Sequence, residues 1–329
     1  MKPRERIMAT LGHREPDRVP RFEIWIDALW DELGQRDIPS AYVNLGQDCI
    51  MMPTQRPPGS NAWKTGLDEW GRVWKDGMYV AGVMDTEADL KRYSHPASYV
   101  DVHFDDDRIR EVQTRYPEHC LIYGSHDIGP LTTSYMAMGF EQFFLRLVDD
   151  PAFAHKLLAD RTEWAIAMCH KAVSLGAEVL VIGDDAAYRD GPMISPRMWR
   201  EFVLPYHRQL VESVEVPVIW HSDGNTERLL PFAIEAGFAG FHGLEPAAGM
   251  DLRRIKQEHG AELVLIGNID IRVLFESDLE AVRAEVDRCL EQGAPGGGYM
   301  LATCNSIFEG MNPRAVAEMF RYEREVGFH

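Results

Sequence analysis

Long apolar runs are missing from this 329-residue chain: no stretch approaches the ~18 consecutive apolar residues of a membrane-spanning helix. That absence excludes a helical membrane protein. The opening stretch MKPRERIMATLGHREPDR is charged and lacks the apolar centre of a secretory leader. Cysteine is scarce, and Cys49, Cys120, Cys169, Cys289 and Cys304 form an odd, widely spaced set. Such a set does not build a disulfide framework, so the expected setting is reducing and cytoplasmic. Positive charge is short as well. Against 34 Lys and Arg stand 52 Asp and Glu, a net charge of −18. That acidity excludes nucleic acid and anionic membrane surfaces as partners. No G-x-G-x-x-G or Walker loop follows any strand-like run, which removes the usual sign of a nucleotide-binding open sheet.

What is present is a repeated grammar of short apolar runs ending in polar residues or glycine. EVLVIGDD (178–185), VPVIWHSDG (216–224), GFAGFHGLEP (237–246) and ELVLIGNID (262–270) are the clearest, and GGGYMLATC (296–304) is a weaker copy. VPRFEIW (19–25), CLIYGSHD (120–127) and the fainter QDCIMM (47–52) bring the number to eight. Helical stretches such as DLEAVRAEVDRCLEQG lie between them. Near-continuous apolar strands alternating with helices predict a parallel sheet covered by helices. Eight such units in a chain of this length predict an α/β fold of the TIM (β/α)8 barrel type. One segment breaks the pattern: EWGRVWKDGMYVAG (69–82) reads as a β-hairpin turning at Asp76-Gly77, inserted near the barrel mouth. No linker is visible, so residues 1–329 are expected to form one domain.

Barrel enzymes place their chemistry where strands end and the following loops begin. Side chains two apart on a strand point the same way, so His221 and Asp223 are expected to face the mouth together. The same reading of the other strand ends gives His126 and Asp127, Asp184 and Asp185, His242 and Glu245, Asn268 and Asp270, and Cys304. Each has a plainer reading. A strand-end Asp such as Asp185 or Asp270 often caps the next helix, and His242 reads as a structural histidine with satisfied nitrogens. The other cysteines read as small buried apolar residues. The H-x-D pair with the distant Cys304 is the sharpest candidate for metal, because imidazole, carboxylate and thiolate are all zinc ligands. A catalytic zinc ion usually has three protein ligands and one open position. Trp25, Tyr135, Tyr188 and Trp220 are candidates for an apolar substrate wall.

Several segments together resemble the uroporphyrinogen decarboxylase superfamily. They are PRERIMATLGHREPDRVP, GPLTTSYMAMGFEQFF (129–144), GDDAAYRDGPMISPRMWREFVLPYHRQL (183–210), HSDGNTERLLPFAIEAGFAGFHGLEP (221–246), IGNID (266–270) and GGGYMLATCNSIFEGMNP (296–313). The resemblance implies a TIM barrel. True uroporphyrinogen decarboxylases carry an RQAGRY-type motif, where this chain has EIWIDALW without paired arginines. The other branch holds corrinoid-linked methyltransferases, which bind zinc through an H-x-C pair and a distant Cys. His221 and Cys304 match the outer two of those positions, and Asp223 stands where the middle Cys belongs. A carboxylate makes the site harder, which suits an O-methyl substrate better than a thiol. A corrinoid-binding D-x-H-x-x-G signature is missing, since DVHFDD (101–106) has Asp106 where glycine is needed.

The resemblance therefore implies a zinc-assisted methyltransferase acting between a small-molecule substrate and a corrinoid (cobalamin) carried by a separate protein. Asp184, Asp185, His126 and Glu245 are the candidates for substrate hydrogen bonding or proton transfer. A metal-free decarboxylase is the alternative, and a metal-dependent hydrolase or a non-catalytic tetrapyrrole-binding module stand behind it. A homodimer is left open.

Overall fold

A computed structural model describes residues 1–27, 37–55, 64–94 and 97–326. Seven parallel strands form one curled sheet: β1 (Cys49–Met51), β2 (Cys120–Ser125), β3 (Val179–Gly183), β4 (Val218–His221), β5 (Gly240–His242), β6 (Val264–Ile269) and β7 (Tyr299–Thr303), each paired with the next in sequence. Every residue of β3, β4, β6 and β7 is buried. That explains their apolar runs without alternation: one face packs in the interior and the other under helices.

The eighth expected strand, 19–25, is not a ladder but a set of single bridges. Phe22 donates its N–H to Leu301 (2.8 Å), and Leu301 donates to Pro20 (2.9 Å). On the other side Asp48 donates to the Arg21 carbonyl at 2.9 Å. Pro20 has no N–H to give, and the Glu23 N–H goes to the Gln47 side chain at 2.9 Å. Segment 20–27 thus links β7 back to the approach of β1, an arrangement consistent with a TIM barrel. The end of the EIWIDALW stretch, residues 28–30, lies outside the described residues.

Residues 66–82 form a small antiparallel sheet. Arg72–Lys75 pairs with Met78–Gly82, and Gly66–Leu67 adds a third strand. Asp76 and Gly77 take positive φ of 52° and 80°, as a tight hairpin turn requires. Arg72 is buried between the rings of Trp70 and Trp74 and bonds Asp68 (2.7 Å). Its other arm reaches Asp127 at 2.6 Å, just after β2. The small sheet is thereby tied to one strand end of the large one. No helix of the described residues is long and apolar enough to cross a membrane.

Candidate metal centre

Strand register places the key side chains in one row. His221 is level with Gly183 on one neighbour and with His242 on the other. Residues level on parallel strands face the same side. Gly183 contributes no side chain to this row, and a Cβ there would collide with the His126 ring. The glycine is what lets His126, in the short 3-10 helix His126–Ile128, lean over the strand end.

His126, Asp185 and His221 bring their ligand atoms within 4.8 Å of one another. Among the described residues this is the group of histidine, cysteine and carboxylate side chains that could hold a metal ion. Trp25 backs it, stacked on His126 (4.8 Å between centroids) and edge-on to His221 (4.9 Å). Asp223 adjoins the trio, with Oδ1 3.7 Å from His221 Nε2. Its N–H donates to Asp185 Oδ1 (3.1 Å), and its Oδ2 accepts from Asn305 (2.8 Å). Its Oδ1 is buried with no hydrogen-bond partner among the described residues, an atom that a bound cation would satisfy. Two imidazoles, a carboxylate and an orphaned carboxylate oxygen fit a zinc-like ion. A cavity of about 570 Å³, lined by Trp25, Asp27, Tyr99, His103, His126 and Asp127 among others, opens beside the trio.

Electrostatics at this end are unusual. Burial pulls His221 well below the usual histidine range, and the neighbouring His242 and His126 charges add to it. Burial likewise pulls His242 down to about 3. Burial, then the Asp185 and Glu245 charges, push the Asp223 carboxyl up to about 8. His242 is fully buried, its Nδ1 lying 2.7 Å from His221 Nδ1 and its Nε2 3.0 Å from the Thr303 carbonyl. It is the satisfied histidine the sequence suggests, and also a neighbour of the site.

The other expected residues are distributed differently. Cys304 is buried, its N–H bonded to the Ile269 carbonyl (2.9 Å), and burial raises its thiol, with Asp223, Asp270 and Glu245 adding to the rise. It is not among the three residues that converge, which are His126, Asp185 and His221. Asp184 points away from the mouth. It is fully buried, accepts from the N–H groups of Leu131 (3.2 Å) and Thr132 (2.6 Å), and bonds His207 at 2.7 Å. It caps the helix Pro130–Met138 from outside that helix. Trp220 is also on the outer side, fully buried against Trp199, His207 and Phe241, with its indole N–H on the Asp184 carbonyl. Neighbours on a strand face opposite ways, so an inward His221 already required an outward Trp220. Glu245 accepts from the Gly224 N–H (3.0 Å), bracing the loop after β4. Tyr135 is buried beside Phe140 and Phe144, its hydroxyl 3.3 Å from Thr132, while Tyr188 is 53% exposed at the surface.

The family model described as uroporphyrinogen decarboxylase matches residues 73–326. The chain belongs to the uroporphyrinogen decarboxylase family. Among relatives, a methylated-thiol–coenzyme M methyltransferase of Methanosarcina mazei is 27% identical over 165 residues, covering 50% of this chain and 43% of that protein. A uroporphyrinogen decarboxylase of Thioalkalivibrio sulfidiphilus is 27% identical over 253 residues, covering 72% and 65%. The matches thus span 43% and 65% of the length of these two curated relatives. A solved methyltransferase from Methanosarcina mazei superposes with a TM-score of 0.78 at 19% identity, covering 99% of both chains, a likeness of fold. Relatives of both chemical branches thus match this chain in sequence.

Sequence reasoning missed two neighbours of the site. Glu23 is buried beside β7, its carboxyl on the Thr303 hydroxyl (2.6 Å) and N–H (3.0 Å), and burial pushes it up to about 7. Asn305 holds Asp223. The acidic residue at the centre of an apolar run, VPRFEIW, was the available signal for Glu23.

Proposed function

We propose that this family member is a metal-assisted methyltransferase, moving a methyl group between a small substrate and a corrinoid carried by a separate protein. The observation that carries the reading is the convergence of His126, Asp185 and His221 at the strand ends beside an open cavity. The methyltransferase relative supports the same branch. Zinc, when bound, supplies Lewis acidity toward the substrate's heteroatom. In such a transfer the reduced corrinoid would be the nucleophile, giving both electrons of the new bond to the methyl carbon, while the pair of the broken bond would stay on the heteroatom, which would then take a proton from solvent. The protein's part is positioning: Trp25 and Tyr99 wall the cavity, and Asp223 braces the mouth through Asn305. Two imidazoles and a carboxylate are harder than the thiolate sets that activate thiols, so the donor proposed is an oxygen-bearing one such as a methyl ether. A cytoplasmic setting belongs to the same proposal.

The test is elemental analysis of protein purified without chelator, followed by methyl transfer to an added corrinoid protein. Stoichiometric zinc is expected in the native chain. It should be lost in His126→Ala and Asp185→Asn and kept in Cys304→Ala. Zinc lost only in Cys304→Ala would return the thiol to the site in place of His126. Turnover without any corrinoid would overturn the methyltransferase reading.

Metal-free decarboxylation is the second reading, favoured by the decarboxylase relatives. The acidic mouth weighs against it, because a substrate bearing many carboxylates is repelled there. Release of carbon dioxide from a polycarboxylate by metal-free protein would establish it.

A further inference from the structure

We propose that His242 is a positioning residue that fixes the tautomer of His221, so that the His221 Nε2 lone pair faces the mouth. The argument follows the protons. The Thr303 carbonyl only accepts, so the His242 nitrogen 3.0 Å from it, Nε2, carries hydrogen. Both Nδ1 atoms then meet at 2.7 Å and share one hydrogen. A neutral His242 already has its hydrogen on Nε2, so the shared one belongs to His221 Nδ1. The competing arrangement needs an imidazolium in a fully buried position. Its neighbours include His221, His126, the Trp25 ring at 6.2 Å and a carbonyl, and among the described residues no carboxylate is bonded to it. Burying such a charge is strongly unfavourable.

A second observation agrees. Were Nε2 of His221 protonated, Asp223 Oδ1 would be its natural acceptor. The two atoms instead stand 3.7 Å apart, and Oδ1 has no hydrogen-bond partner among the described residues. A lone pair facing an orphaned carboxylate oxygen leaves a gap for a cation. The relay Thr303 carbonyl–His242–His221 does for this imidazole what a carboxylate or carbonyl does behind most metal-bound histidines. Here the extra imidazole carries the backbone's influence one strand further. His242 and His221 are level on adjacent parallel strands, which is why the contact forms.

The tautomer stands on the hydrogen-bond geometry and the burial of His242; only its consequence for zinc rests on the metal reading above. The experiment uses full-length chain labelled with ¹⁵N-histidine and freed of metal by chelator. Long-range ¹H–¹⁵N correlation reads each ring's tautomer, and His221→Gln assigns the signal. Native protein should show His221 with a pyrrole-type Nδ1 and a pyridine-type Nε2. His242→Phe keeps the ring volume and removes the acceptor; it should lose that pattern and lower zinc affinity about 10–100-fold. His242→Gln offers both an acceptor and a donor and should restore both. A native His221 protonated at Nε2 overturns the proposal, as does a His242→Phe protein with the native pattern. If His242→Phe fails to fold, the native spectrum decides alone. Native protein that binds no zinc yet shows the expected tautomer overturns the metal reading and leaves this one standing.

Discussion

Two carboxylate clusters at opposite ends of the parallel sheet are treated in opposite ways. At the N-terminal end Asp48 accepts from Arg6 (2.6 Å), from both arms of Arg18 (2.8 Å each) and from the Arg21 N–H (2.9 Å). Arg6 also grips Asp17, and that hydrogen bond holds the Asp17 carboxyl below the usual carboxylate range. At the C-terminal end Asp127 and Asp270 pair with Arg72 and Arg272, but Asp185, Asp223 and Glu245 form no ion pair with Lys or Arg among the described residues, Arg272 acting on Glu245 only at longer range; His221 and His242, both pulled down by burial, lie beside them. A saturated network locks segments together. An unsaturated one stores a demand for a ligand, at a cost in stability. The contrast separates a paired floor from an unpaired mouth by hydrogen-bond accounting, without reference to any relative.

The largest effect that separates them is expected at the floor. Asp48→Ala leaves buried Arg6 and half-buried Arg18 without their shared carboxylate and should cost about 3–5 kcal/mol in chemical denaturation. His221→Ala, at the mouth, removes a buried ring and should cost less, about 2–3 kcal/mol in metal-free protein, while abolishing zinc binding. Equal destabilisation by the two would break the comparison.

A pH titration sharpens it. Glu23 is held up to about 7 in the fold by burial, against an ordinary value of 4.5. The folded state therefore keeps a proton that the unfolded state gives up. The associated stability is fully present below about pH 4.5 and is lost as pH rises through about 7, on the order of 3 kcal/mol. Glu23→Gln mimics the protonated acid and should flatten that loss in denaturation curves taken from pH 4.5 to 8. An unchanged slope would show that Glu23 is already ionised in the fold.

The smallest expected effect concerns sulfur. Cys304→Ala should cost no more than ~1–2 kcal/mol of packing and leave zinc affinity within about threefold. A larger loss of zinc would move the thiol into the site.

Much of the sheet was legible in the sequence because its strands are buried on both faces, and EVLVIGDD or ELVLIGNID admits few other readings. The closing segment was harder. VPRFEIW has a strand's composition, but Pro20 and the side-chain bond at Glu23 break its ladder into single bridges. At the site, the H-x-D pair was visible because its spacing of two puts both residues on one side. The adjacent pairs Asp184–Asp185 and Trp220–His221 were each read as two mouth residues, although strand alternation allows only one of each.

The sequence by itself determined the alternation of strand and helix, the acidic balance and the presence of His221 at a strand end. Those follow from local periodicity and composition, which need no knowledge of what lies across space. Only the tertiary structure decided which groups meet His221. His126 arrives from the loop after β2, through the space that Gly183 leaves open, Asp185 from the loop after β3, and His242 from its level on β5. Register between strands is set by how whole layers pack, and a one-residue slip would replace each of those neighbours while leaving every local pattern intact.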